Sequence, residues 1–151
     1  MKKIIFYLIS FGLVLCGLFV FQHHPNFPEW LKKYSLICLC IIMGGFGGVT
    51  YCLRGVYLNA CVKKTWDKEW YPWYYIRPIV SLICGGISYL FLKAGLLILE
   101  AQQNLEATNL GFLALAFIAG LNVDKFISKI EDVAQATWGI EKSRTAKDGQ
   151  K

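Results

Sequence analysis

The fold is decided by residues 34–58, which read YSLICLCIIMGGFGGVTYCLRGVYL. The stretch carries one charged residue, Arg54, and it exceeds the roughly 20 apolar residues that a helix needs to cross a bilayer. Its centre holds four glycines in five positions: Gly44, Gly45, Gly47 and Gly48. Such a run weakens a helix in water, but a helix in lipid is held by its own hydrogen bonds. We therefore predict a transmembrane helix here.

Three further apolar runs accompany this one, and they predict spans over residues 4–21, 77–99 and 108–124. Of the 151 residues, 56% are hydrophobic and 17% are charged, whereas soluble domains average about 25% charged residues. This composition excludes an ordinary soluble enzyme, a disordered chain and a disulfide-rich secreted protein. The sequence predicts an all-α polytopic membrane protein, with four transmembrane helices in residues 1–125 and a short cytoplasmic helix and tail over residues 126–151.

The fourth apolar run is short, because its uninterrupted core ends at Leu121. We expect the helix to continue past Asn122 and Asp124. Beyond them an apolar stripe recurs at spacings of three and four: Phe126, Ile130 and Val133. Such a stripe must lie on the membrane surface, on a neighbouring loop or on another protein. The acids Glu131 and Asp132 disfavour an anionic membrane surface, so we predict that the stripe binds a protein partner.

The basic residues predict the orientation of the chain. Lys and Arg number 16 against 10 Asp and Glu, and most of them lie at the N-terminus, between the second and third spans, and in the C-terminal tail. The positive-inside rule then places both termini in the cytoplasm of a bacterial inner membrane. The first apolar run has 18 residues and no Ala-x-Ala site follows it, so we expect an uncleaved span rather than a signal peptide.

Three basic residues are predicted inside or at the edge of the spans: Arg54, Arg77 and Lys93. A charge in this position is expensive unless it reaches the interface or pairs with an acid. Lys93 shares a helix face with Tyr89 and Glu100. This position suits a side chain that reaches the interface, one that lines a polar vestibule, or one that pairs with an acid of a neighbouring subunit. The two arginines would hold lipid phosphate or pair with an acid. The acids available to them are Asp67, Glu69 and Asp124.

Spans two and three each carry a face of small residues, which predicts close helix packing. The residues are Gly44 and Gly48 in the second span and Ser81, Gly85 and Ser88 in the third. One face would pack within the chain and the other against a neighbouring copy, so we predict a homo-oligomer. A pore lined by these faces is the alternative interpretation.

The segment between these spans, residues 63–75, is both basic and aromatic. Trp66, Trp70 and Trp73 suit the headgroup layer, and tryptophans also anchor protein interfaces when they are desolvated. We predict that this segment and the C-terminal stripe together bind a soluble cytoplasmic partner.

No pattern in the sequence predicts catalysis, a cofactor or a metal site. There is no glycine-rich phosphate cradle and no His-Glu-x-x-His, and Cys38-x-Cys40 lacks a zinc or redox spacing. The pair His23-His24 is interpreted as a polar loop. The six cysteines are expected to be free thiols, and the chain is expected to bind the bilayer rather than nucleic acid.

Residues 70–78, which read WYPWYYIRP, lead into a glycine-rich span, and residues 116–120, AFIAG, precede the last helix. In these stretches and in its size, the chain resembles small four-span membrane proteins of bacterial anti-phage defence operons, in particular the KwaA family of Kiwa systems. The resemblance implies an oligomeric inner-membrane sensor that binds a soluble KwaB-like subunit, and it assigns no individual residue. Two other functions stay open: a membrane effector or channel that depolarises the cell, and a colicin-type immunity protein.

Overall fold

The computed structural model describes residues 1–22, 24–25, 28–95 and 105–141, and every regular element in these ranges is helical. The prediction of an all-helical chain is therefore confirmed for the described residues. The helices are α1 (Lys2–Gln22), α2 (Glu29–Lys32), α3 (Ser35–Tyr57), α4 (Tyr71–Lys93), α5 (Leu105–Leu121) and α6 (Val123–Trp138). A π-helical turn (Leu58–Val62) extends α3, and a 3-10 turn (Lys68–Trp70) leads into α4. His23, Glu100, the end of the predicted third span and the tail beyond residue 141 lie outside the described residues.

Three helices are long and apolar enough to cross a membrane: α1, α3 together with its π-helical turn, and α4. A fourth span exists only if α5 and α6 are counted as one bent span. The outer surface of α1 supports insertion, because the side chains of Phe6, Leu13 and Val20 are 76%, 67% and 68% exposed. A helix this apolar on its exposed side suits hydrocarbon rather than water.

Helix α3 lies at the centre of the bundle, with backbone contacts on two of its sides. A Cβ atom added at Gly44 would lie 2.7 Å from the Cα of Gly85 in α4. A Cβ atom added at Gly47 would lie 2.6 Å from the backbone nitrogen of Leu121 in α5. Only glycine permits this approach, so the glycine run of α3 is what brings three helices together.

Helix α4 begins at Tyr71, six residues before the predicted start of the third span at Arg77 and Pro78. Pro72 lies in the first turn, where the missing N–H group has no intrahelical partner to lose. Pro78 is instead inside the helix and fully buried. The extra turns place Arg77 on the part of α4 that faces the other helices, instead of at a helix start.

The predicted continuation of the fourth helix past Asn122 is wrong, because the helix breaks at that residue. Asn122 has φ −122° and ψ 55°, and the axis turns by 111° between α5 and α6. Asp124 lies in the first turn of α6, where a negative charge is favourable for the helix dipole. Because of this break, α6 is a separate helix from α5. We call residues 121–124, where the chain turns, the elbow.

Candidate functional site: a buried arginine at the elbow

Arg77 is buried, with 6% of its surface exposed, and no other charged residue in the described part of the chain is buried. Its Nη1 donates a hydrogen bond to Oδ2 of Asp124 over 2.8 Å. Asp124 is thus the acid that pairs with Arg77, out of the three candidates named from the sequence. The pair joins the second turn of α4 to the first turn of α6, across 47 residues of sequence.

Two aromatic rings enclose the guanidinium group of Arg77. Its Cζ atom lies 4.7 Å from the ring centroid of Tyr51 and 5.2 Å from that of Trp73. Each such contact contributes about 0.5–2 kcal/mol, with the larger values where water is excluded. Tyr51 was not predicted as part of a site, and only its place on the same face of α3 as the glycines hinted at a role.

Ser81 connects the same region to the end of α5. Its Oγ lies 2.9 Å from the carbonyl oxygen of Arg77 and 2.9 Å from that of Gly120, so its proton bridges the two. Ser81 is fully buried, and a buried hydrogen bond of this kind contributes about 1 kcal/mol. The elbow is thus held by one ion pair, two ring contacts and one hydroxyl bridge.

The electrostatics of the pair are uneven. The side chain of Asp124 is 79% exposed, whereas Nε of Arg77 is buried and has no hydrogen-bond partner among the described residues. The guanidinium charge is balanced from one side by the carboxylate and from two sides by ring faces. These contacts join α4 to α5 and α6, and we call them the clamp.

Two of the three tryptophans predicted to bind a partner pack against other side chains of the same chain. Trp66 stacks on Tyr74 with ring centroids 5.5 Å apart, and Trp73 packs between Tyr74 and the guanidinium group of Arg77. Tyr74 is 1% exposed, so this cluster is core. Trp70 is 51% exposed and remains available to a partner. Trp66 and Trp73 therefore also have a packing role within the chain, and their binding to a partner stays a prediction.

The predicted stripe of Phe126, Ile130 and Val133 is half-buried and turns towards the bundle. These side chains line a cleft of about 80 Å³ together with Phe91 of α4 and Leu115 of α5. The stripe is therefore largely covered by the chain itself, because the elbow folds α6 back against its neighbours.

The two faces of small residues pack against each other within one chain. Gly44 and Gly48 of α3 meet Ser81 and Gly85 of α4, and the buried Ser88 donates its hydroxyl hydrogen to the carbonyl oxygen of Gly85 over 2.7 Å. The packing role stays assigned to these residues. Neither face is left over for a neighbouring copy, so the oligomer that they predicted needs another surface.

The two remaining predicted charges lie at the surface. Arg54 is exposed on the last turn of α3 and pairs with no acid among the described residues. Lys93 is the last residue of α4, where a cation favours the helix dipole, and its Nζ lies 3.2 Å from the hydroxyl of Tyr89. This position suits a side chain that reaches the interface.

The described residues contain no group of three or more His, Cys, Asp or Glu side chains that would hold a metal ion. All six cysteines are free thiols. The chain matches no family model, no curated protein sequence and no solved structure.

Proposed function

We propose that this chain is a membrane-embedded scaffold that docks a soluble partner on one end of its bundle, as the sensor subunit of a bacterial anti-phage defence system. The observation that carries the docking role is the composition of the end where α1 begins, α3 ends and α4 begins, which we call the basic end. Its exposed basic side chains are Lys2, Lys3, Arg54, Lys63 and Lys64. The defence role rests on the resemblance of residues 70–78 and 116–120 to that class of proteins.

The basic end also exposes large apolar side chains. Tyr57 is 60% exposed, Val62 is 57% exposed and Trp70 is 51% exposed. Aromatic side chains anchor many protein interfaces, and a polar rim surrounds such anchors. An acidic soluble protein, KwaB-like if the resemblance holds, is the partner that fits this surface.

The positive-inside rule supports a cytoplasmic location for the basic end, and the basic tail supports the same side for the C-terminus. Cys61 is a native probe for this orientation, because it is exposed in the π-helical turn at this end. We expect a membrane-impermeant maleimide to label Cys61 in inside-out vesicles and not in intact cells.

The alternative of a channel lined by small residues is less well supported, because those faces are filled. A Cβ atom added at Gly48 would lie 2.5 Å from the Cβ of Ser81, so α3 and α4 leave no lumen along this seam. A scaffold needs no lumen, and the packed seam favours it.

The docking role is tested by co-expression with the soluble proteins encoded beside this gene. The variant Lys63→Glu/Lys64→Glu/Trp70→Ala should lower the recovered partner at least tenfold and abolish protection against phage, with membrane insertion unchanged. Lys93→Glu, an exposed charge change on another part of the bundle, is the matched control and should behave as wild type. Wild-type recovery with the triple variant would refute docking at the basic end.

Anionic lipid is the other candidate ligand of the basic end. Binding of the soluble partner to this chain in nanodiscs distinguishes protein docking from binding of lipid headgroups. In nanodiscs of zwitterionic lipid, a protein-docking surface keeps its partner, because the contact does not require lipid charge. Loss of the partner on removal of anionic lipid would assign the basic end to headgroup binding.

A further inference from the structure

The cleft between α4, α5 and α6 has an apolar wall and a cation at its rim. Its wall is apolar throughout, although Lys129 is one of the residues that line it. Lys129 therefore contributes its methylene stem to the wall, and its ammonium group lies outside. The side chain is exposed and forms no ion pair with an acid in the described part of the chain. The cleft thus combines an apolar pocket with a positive charge at its rim.

The surface beside the cleft suits hydrocarbon. On α4, Leu90 precedes the lining residue Phe91 and is 56% exposed. On α5, Ile118 follows the lining residue Leu115 by about one turn and is 53% exposed. Helix α4 is also long and apolar enough to cross a membrane. In a bilayer, lipid chains would cover these exposed side chains, so a chain enters the cleft without crossing water.

The size and chemistry of the cleft favour part of an acyl chain over water or a compact ligand. Apolar cavities of about 150 Å³ stay dry and bind a molecule of the size of benzene. This cleft is about 80 Å³ in volume and its wall offers water no hydrogen-bond partner. It therefore accommodates a few methylene groups of a longer apolar chain.

The elbow brings the start of α6 close to one boundary of the membrane. Asp124 pairs with Arg77 in the second turn of α4, about 9 Å along that helix from Tyr71. The interfacial layer on each side of a bilayer is about 5–8 Å thick. With Tyr71 in the headgroup layer, α6 starts near the boundary between headgroups and hydrocarbon. Lys129 follows Asp124 by five residues, and a flexible lysine stem reaches back to a headgroup.

We propose that the cleft and Lys129 bind one anionic phospholipid of the bilayer. Part of an acyl chain lies in the cleft, and the lipid phosphate contacts the ammonium group of Lys129. Lys125, which is exposed one turn earlier on the same flank of α6, provides a second cation. Basic pockets between transmembrane helices bind anionic headgroups in this way. The proposal requires membrane insertion and does not depend on docking at the basic end.

The two acids that follow Lys129 leave this site positive. Glu131 comes two residues after Lys129, and with 3.6 residues per turn it lies on the opposite side of the helix. Asp132 comes three residues after Lys129, but it already has a contact within the chain. A phosphate at the rim of the cleft therefore meets the two lysines first.

Lipid titration of the full-length chain, delipidated in detergent and followed by native mass spectrometry, tests the role of the charge. Phosphatidylglycerol should bind at least fivefold more tightly than phosphatidylcholine, and glycerol 3-phosphate, which has no acyl chain, should not compete. Lys129→Gln should lower the affinity for phosphatidylglycerol about fivefold and leave phosphatidylcholine unchanged, because one lysine beside anionic lipid contributes a factor of this size. Lys33→Gln is the control, since Lys33 is an exposed lysine between α2 and α3, outside the cleft.

Three results of the titration would overturn the proposal. Equal affinity of the wild type for the two lipids would mean that Lys129 does not select a charged headgroup. Competition by glycerol 3-phosphate would identify a site for free phosphate. An unchanged affinity of Lys129→Gln for phosphatidylglycerol would place the bound lipid elsewhere on the bundle.

Photolabelling in nanodiscs locates the lipid on the folded wild-type chain. Phosphatidylglycerol and phosphatidylcholine, each with a diazirine in the acyl chain, are compared by mass spectrometry of peptides. The ratio of phosphatidylglycerol to phosphatidylcholine label on residues 126–133 should exceed the ratio on α1 at least fivefold, because α1 exposes apolar side chains such as Phe6 and Leu13 to any lipid. Lys129→Gln should bring the two ratios together while the labelling of α1 stays unchanged, which shows that the variant folds.

Equal ratios on the two peptides of the wild type would mean contact with bulk lipid only, and no label on residues 126–133 would mean that protein covers the cleft. Either result would overturn the proposal. The soluble partner is present in neither measurement, so this proposal and docking at the basic end fail separately.

Discussion

Replacing Asp124 by Asn removes the negative charge from the carboxylate that Arg77 contacts and keeps the size of the side chain. Arg77 is 6% exposed, so its charge then stays in the bundle with only the rings of Tyr51 and Trp73 beside it. We expect the elbow to open more often, while the contacts of α1 with α3 and α4 stay intact. The reason is that the ion pair joins α6 to α4 and touches nothing in α1.

The size of the effect follows from the burial of the two partners. Breaking a fully buried ion pair costs about 3–5 kcal/mol. The side chain of Asp124 is 79% exposed, so water screens the pair and lowers this value. The Asn side chain also keeps an oxygen that accepts a hydrogen bond from Arg77. We therefore expect a loss of about 1–2 kcal/mol in the stability of the elbow, a factor of about 5–30 in its open population.

Native cysteines report this opening. Cys84 is 3% exposed and packs with Ala119 and Val123 beside the elbow, whereas Cys52 is fully buried among residues of α1, α3 and α4. In Asp124→Asn, thiol labelling followed by mass spectrometry of peptides should show Cys84 reacting about 5–30 times faster, with Cys52 unchanged. Equal acceleration of both thiols would mean global unfolding, and unchanged labelling of Cys84 would refute the clamp.

Two further predictions concern packing. Gly48→Leu should lower the thermal unfolding midpoint in detergent, because a Cβ there already meets a side-chain atom of α4 at 2.5 Å; Gly17→Leu, with no atom within 4 Å of the added Cβ, should leave the midpoint unchanged. Similar midpoints for the two variants would contradict close packing of α3 and α4. Trp66→Ala should destabilise the chain because Trp66 covers the buried ring of Tyr74, whereas Trp70→Ala should preserve stability, both read by the same melting assay. A larger loss for Trp70→Ala would contradict the assignment of the tryptophan cluster.

The location of helices and the places of close packing depend on residues near one another in sequence, so they could be predicted from the sequence alone. The helix of residues 34–58 was predicted from a long apolar run, and its glycine run correctly indicated close packing, because hydropathy and side-chain size are local quantities. The small faces of the second and third spans were also predicted. Lys93 was expected to reach the interface, to line a vestibule or to pair with an acid of a neighbouring subunit, and the structure places it exposed at the end of α4.

Properties that depend on which distant residues meet were decided by the tertiary structure. Arg77 had three acidic candidates in sequence, and only the break at Asn122 brings Asp124 within 2.8 Å of it. The apolar stripe of α6 indicated that something must cover it, but a periodic pattern carries no information about whether the cover is lipid, a partner or the chain itself. The 111° turn supplies that information, because it brings Phe126, Ile130 and Val133 against Phe91 of α4 and Leu115 of α5.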